Sequence, residues 1–132
     1  MPVVGIGGVF FRAHDPDALS AWYREHLGVG AGCVATEGAA PEEWSWQTEG
    51  GPVVFAPFEA TTDYFAADKQ FMLNLRVRDL VELLQQLDAA GIASTTKPEW
   101  NDPAVGQFAR IHDPEGNAIE LWEPPAQSST PP

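Results

Sequence analysis

Two stretches of this chain obey one grammar, and they sit 64 residues apart. In the first, the strand-like run GIGGVFFRAH leads into DPDALSAWYREHLG; in the second, FMLNLRV leads into RDLVELLQQLDAAG. Asp15 and Asp79 each stand where a helix N-cap belongs, Pro16 suits the first helical position, and Gly28 and Gly91 supply left-handed stops. The first helix carries Leu19, Trp22, Tyr23 and Leu27 on one side, at helical spacing. Each helix is followed by short extended runs separated by turn residues. These are EEWSWQT and PVVFAPF in the first half; in the second, a piece near residues 93–96, then GQFARIH and AIELWE. A repeat of strand, helix and two or three antiparallel strands predicts two copies of one supersecondary unit packed together.

The predicted boundaries are a single domain over 1–124, with module one at about 5–58, a linker at about 59–70 and module two at about 71–124. The tail PPAQSSTPP, within 125–132 at its end, has the composition of a disordered terminus. At 132 residues and 44% hydrophobic content, the chain can bury one core. Nineteen acidic against seven basic residues leave a net charge of -12, which repels nucleic acid and anionic membrane surfaces. One cysteine, Cys33, allows neither an intrachain disulfide nor a thiolate metal cluster, and reads as packing. The start MPVVGIGGVFF lacks a charged leader, and no apolar run reaches membrane-spanning length, so the expectation is a cytoplasmic protein.

The quoted stretches, together with the closing HDPEGNAIELWEP, resemble the vicinal oxygen chelate superfamily, which includes glyoxalases, bleomycin-resistance proteins, fosfomycin-resistance enzymes and extradiol dioxygenases. The resemblance covers most of residues 5–124. It implies an α+β fold in which two βαβββ modules form a cupped mixed sheet with the helices outside and a ligand site inside. It also implies a homodimer, with sites inside each chain or shared across the interface. Metal-binding members commonly carry a ligand seven residues before each capping aspartate and a carboxylate on each module's last strand. Here those positions hold Gly8, Met72 and, in the first module's last strand, Val54 or Phe55; Glu120 alone matches a ligand type. A catalytic metal needs about three protein ligands, so no cofactor is expected, and a divalent metal, if present, would sit on Glu120.

Strand alternation assigns the faces. Phe10 and Arg12 share the parity of Gly8, and Asn74 and Arg76 that of Met72, all toward the cup; Val9, Phe11, Ala13, Leu73, Leu75 and Val77 turn to the helices. In DPEG, proline and glycine suit a type I turn with a left-handed Gly116, pairing Asp113 with Asn117. Register then sets His112 against Ala118, Arg110 against Glu120 and Phe108 against Trp122, with Ala109, Ile111, Ile119 and Leu121 on the core face. Glu120 beside Arg110 is a cross-strand charge pair. Three of seven basic residues, Arg12, Arg76 and Arg110, thus face inward against one carboxylate. Solvent at the strand ends, an acidic loop or an anionic ligand can balance them.

The reading is a small-molecule-binding protein with a degenerate metal site and a cup formed by Phe10, Arg12, Asn74, Arg76, Phe108, Arg110 and Trp122. Its alternative is a metal-dependent lyase, transferase or dioxygenase using Glu120 as ligand, with His112 or His14 in support; Glu120 and His112 are the catalytic candidates. His14 otherwise belongs to the turn before Asp15, and His26 favours a helix C-terminus. Trp44 and Trp46 line the cup or fill the module interface. Tyr64 and Phe65 either lid the pocket or pack on the surface.

Overall fold

The protein is described here as a computed structural model, in which residues 2–30 and 46–126 are described. Trp44 and Cys33 lie outside those residues, as do positions 127–132 of the tail. The described residues form an α+β unit with an open, mixed, four-stranded sheet.

Helix α1 spans Pro16–Leu27. The Asp15 side chain accepts from the Ala18 amide at 3.1 Å, Pro16 opens the first turn, and Gly28 closes it at φ 68°. Strand β1, Leu73–Arg76, leads through Asp79 into helix α2, Leu80–Ala89. Asp79 accepts from Glu82 N at 3.1 Å, and the Glu123 carboxylate accepts from Leu80 N at 2.6 Å, so the helix start is tied to the sheet. A 3-10 turn over Pro98–Trp100 precedes the short strand β2, Asn101–Asp102. Strands β3, Gly106–His112, and β4, Ala118–Glu123, complete the sheet.

The order is β1-β4-β3-β2, with β1 parallel to β4 and the other neighbours antiparallel. The DPEG turn has the expected geometry: Gly116 at φ 82°, and Asp113 N donating to Asn117 O at 3.0 Å. It places His112 opposite Ala118, Arg110 opposite Glu120 and Phe108 opposite Trp122. Ala109, Ile111, Ile119 and Leu121 are fully buried under Leu19 and Tyr23 of α1 and Leu80 and Leu87 of α2, with Leu73, Leu75 and Val77 packed against them. One face of the sheet is therefore core, and the other is free to form a site.

The internal repeat is not reproduced among the described residues. Residues 6–13 and 52–58, expected as strands, carry no ladder. A strand is stable only when a neighbour takes its backbone groups, and neither segment has one among the described residues. Val4 and Phe10 are 100% and 97% exposed, and Phe55 is 88% exposed. The expected alternation survives locally, since the Phe11 ring meets Tyr23 and Phe71 edge-on at 6.4 and 5.7 Å and Ala13 packs against the core. Around Thr95 the expected strand is one bridge to Arg110, made by two backbone bonds of 2.8 Å.

Candidate functional site

The sheet face opposite the core presents Phe108 and Arg110 from β3, Glu120 and Trp122 from β4, and Asn74 and Arg76 from β1. Register brings them together: Arg110 and Asn74 flank Glu120 from the two neighbouring strands, and Phe108 and Arg76 flank Trp122. The rings of Phe108 and Trp122 stack with 2° between their planes and centroids 6.1 Å apart. Trp122 Nε1 donates to Val105 O at 2.9 Å, which fixes the indole; Trp122 is 8% exposed.

Segment 59–70 and the 3-10 turn close over this face. The Tyr64 hydroxyl donates to Glu120 Oε2, while Asn74 Nδ2 donates to Glu120 Oε1 at 2.7 Å. The Arg110 guanidinium lies over the Tyr64 ring at 4.8 Å and the Trp100 ring at 5.9 Å, within cation–π reach of both. Phe58 and Phe65 pack behind, the Phe58 ring 5.5 Å from Tyr64 and 5.8 Å from Phe65. Burial raises the Tyr64 pKa, and the hydrogen bond and charge of Glu120 add to the rise, with Arg110 opposing. The phenol thus remains a proton donor at neutral pH.

The opposition of Arg110 and Glu120 is present in register, yet no carboxylate lies within 4.0 Å of the Arg110 nitrogens among the described residues. Glu120 turns instead to Tyr64 and Asn74. Arg110 Nε is buried with no hydrogen-bond partner among the described residues.

The other two arginines expected to face inward have different surroundings. Arg76 donates to Pro52 O at 2.6 Å and Glu49 O at 2.7 Å, so backbone carbonyls answer its fork. Arg12 lines a separate cleft of about 280 Å³ with His14, Lys69, Glu115 and Asn117. Phe10 points to solvent, and His112 is exposed at the end of β3. The His14 and Asp15 amides donate to Glu115 at 2.6 and 3.0 Å; these bonds hold the Glu115 carboxyl below its usual range and place His14 in the turn before α1. The His26 ring packs against Trp22, with centroids 5.5 Å apart. Trp46 is partly exposed.

Trp100 went unnoticed in the sequence; the clue available was its place just after Pro98, where a short turn can aim a ring at the neighbouring strand. Tyr64 was legible only as one of two aromatics in a polar linker.

Residues 8–122 match the sequence profile of a family described as a glyoxalase-like domain. The chain belongs to that family. No curated relative matches it. Among solved structures, the glyoxalase-like chain is similar to TnmS3, an antibiotic binding protein from Streptomyces sp. CB03234, at 33% identity over 39% of this chain and 40% of that one, with a TM-score of 0.34. It is also similar to a glyoxalase/bleomycin resistance protein from Streptomyces sp. CB03234, at 31% identity over 39% of this chain and 42% of that one, with a TM-score of 0.33.

Members of this glyoxalase-like superfamily often use a metal, but the described residues around Glu120 do not fit one. Both Glu120 oxygens are engaged by neutral donors, the nearest charged neighbour across the strand is a cation, and no group of three His, Cys, Asp or Glu side chains that could hold a metal occurs among the described residues.

Proposed function

We propose that this glyoxalase-like protein binds a small molecule through an anionic or polar oxygen group on the free face of its sheet, with Arg110 as the anchor. One observation carries the reading: Arg110 Nε is buried and, among the described residues, without an acceptor. Leaving a buried donor unmet costs about 1–3 kcal/mol, and more when the group is charged. A carboxylate or similar oxygen supplies the missing acceptor, and the aromatic surfaces of Trp100, Phe108 and Trp122 favour a ligand with a flat apolar body. Asn74 and Glu120 add polar groups that orient it. No metal enters this role, and no bond-making step is assigned.

The test is calorimetric titration of the purified protein with benzoate and 1-naphthoate. Binding should weaken at least tenfold in Arg110→Met, which keeps the stem and removes the fork. Unchanged affinity in that variant, with the fold intact by circular dichroism, would sink the assignment.

The reading extends to the fold. Residues 5–58 are taken as the first βαβββ module, whose extended segments gain their sheet neighbours in a homodimer. The exposed Val4, Phe10, Val54 and Phe55 support this, because such apolar surface favours a covering partner. Arg12 would then stand in the completed cup with Arg76.

A further inference from the structure

Tyr64 occupies one face of the Arg110 guanidinium and one oxygen of Glu120. Its ring lies beneath the guanidinium, and its hydroxyl meets Glu120 Oε2, whose partner oxygen Asn74 holds at 2.7 Å. The chain thus presents a phenol of its own to the cup. Trp100, the second ring near Arg110, belongs to the turn joined directly to β2, whereas Tyr64 rides on a segment, 59–70, with no helix or strand. The ring covers a face of the guanidinium while the Nε–H points along its plane, so a molecule that pairs with both Nε and Glu120 Oε2 takes the place of the Tyr64 hydroxyl. That displacement strips Glu120 Oε2 of its donor.

A ligand with no hydroxyl leaves the carboxylate oxygen unmet, and sites built around such a polar group discriminate strongly against molecules that cannot pair with it. A ligand with both a hydroxyl and an anionic oxygen replaces the phenol at Glu120 and adds an acceptor for Arg110 Nε, which has none among the described residues. We infer that the cup selects a flat aromatic molecule bearing a hydroxyl donor and a carboxylate or comparable oxygen, which takes over the hydrogen bond of Tyr64 to Glu120. This rests on the reading of Arg110 as the ligand anchor. It adds the hydroxyl, the acceptor that reads it and the residue that gives way.

Calorimetric titrations with benzoate and with 2-, 3- and 4-hydroxybenzoate test it. At least one hydroxybenzoate should bind tenfold or more tightly than benzoate, and Glu120→Leu should erase that preference. Tyr64→Phe keeps the ring but removes the bond a ligand must break, so it should tighten benzoate and hydroxybenzoate alike, by threefold or more. Equal affinities for benzoate and all three hydroxybenzoates, with binding still dependent on Arg110, would overturn this inference and leave the anchor intact. Weaker binding in Tyr64→Phe would overturn the displacement, since it makes Tyr64 a holder of the ligand. Absence of any Arg110-dependent binding would overturn both.

Discussion

Asp113 is 4% exposed, and it gathers four donors around one carboxylate. The amides of Glu115 and Asn117 reach Oδ1 at 2.9 and 3.0 Å, and Asn117 Nδ2 and the Tyr23 hydroxyl reach Oδ2 at 2.8 and 2.7 Å. The first two bonds shape the turn, and the last fastens α1 to it. Burial raises the Tyr23 pKa far above its ordinary value of 10.0, and the hydrogen bond and charge of Asp113 add to the rise. A folded-state pKa above the unfolded one contributes stability that is full below the unfolded value and is lost as pH rises beyond it. Tyr23→Phe should therefore cost about 1 kcal/mol at neutral pH, where one net hydrogen bond is lost. The gap to the parent should shrink as pH climbs past about 10, because only the parent must lose that phenolic proton on unfolding. Denaturant unfolding at pH 7, 9 and 10.5 measures both; a gap that holds constant would detach Tyr23 from the alkaline transition.

At the scale of elements, local chemistry accounts for what the sequence made legible. The α1 cap, its proline and its glycine stop are all contacts within a few residues, and the hairpin register follows from one four-residue turn. The ladder needs only that turn to bring Arg110 opposite Glu120. The closure by Tyr64 and Trp100 was not legible, because it depends on how segments without periodicity fall across a sheet. The actual partner of Glu120 was hidden for the same reason: register names the Cα opposite, while the side chain chooses among all donors in reach. Strand β3 begins at such a tertiary constraint. Gly106 sits at φ 124°, and a Cβ there would meet Glu123 O, and Trp122 Nε1 at 2.9 Å. Gly106→Ala should cost about 1–3 kcal/mol from backbone strain alone. It should also disturb the Trp122 bond to Val105 O, so near-ultraviolet circular dichroism should lose intensity before the far-ultraviolet signal changes. A variant as stable as its parent, with an unchanged aromatic spectrum, would show that the turn relaxes freely.

For the molecule as a whole, the two halves differ in how well they are satisfied. The second half carries the ladder, both faces of which are covered: one by two helices over the core, the other by Tyr64 and Trp100 over Arg110. Among the described residues, the first half contributes α1 to that core, but its extended segments have no sheet neighbours and Val4, Phe10, Val54 and Phe55 lie in water. Meanwhile, among the described residues, β1 is an edge strand with one side open along Leu73–Arg76. An open edge and unpaired extended segments in the same chain are complementary, and pairing them between two copies removes both. The net charge of -12 opposes close approach of two copies, so association should strengthen as salt screens it. Sedimentation equilibrium should return twice 14.3 kDa at 0.3 M salt. Phe10→Asp with Phe55→Asp should shift the equilibrium to single chains, since both rings are exposed in the isolated chain and neither substitution disturbs the core around Leu87 and Ile119. If the parent sediments as one chain at every concentration and salt, the homodimer falls, and the first half must find its sheet neighbours within its own chain. If the double variant stays paired, the contact lies elsewhere, and the free edge of β1 becomes the element to block.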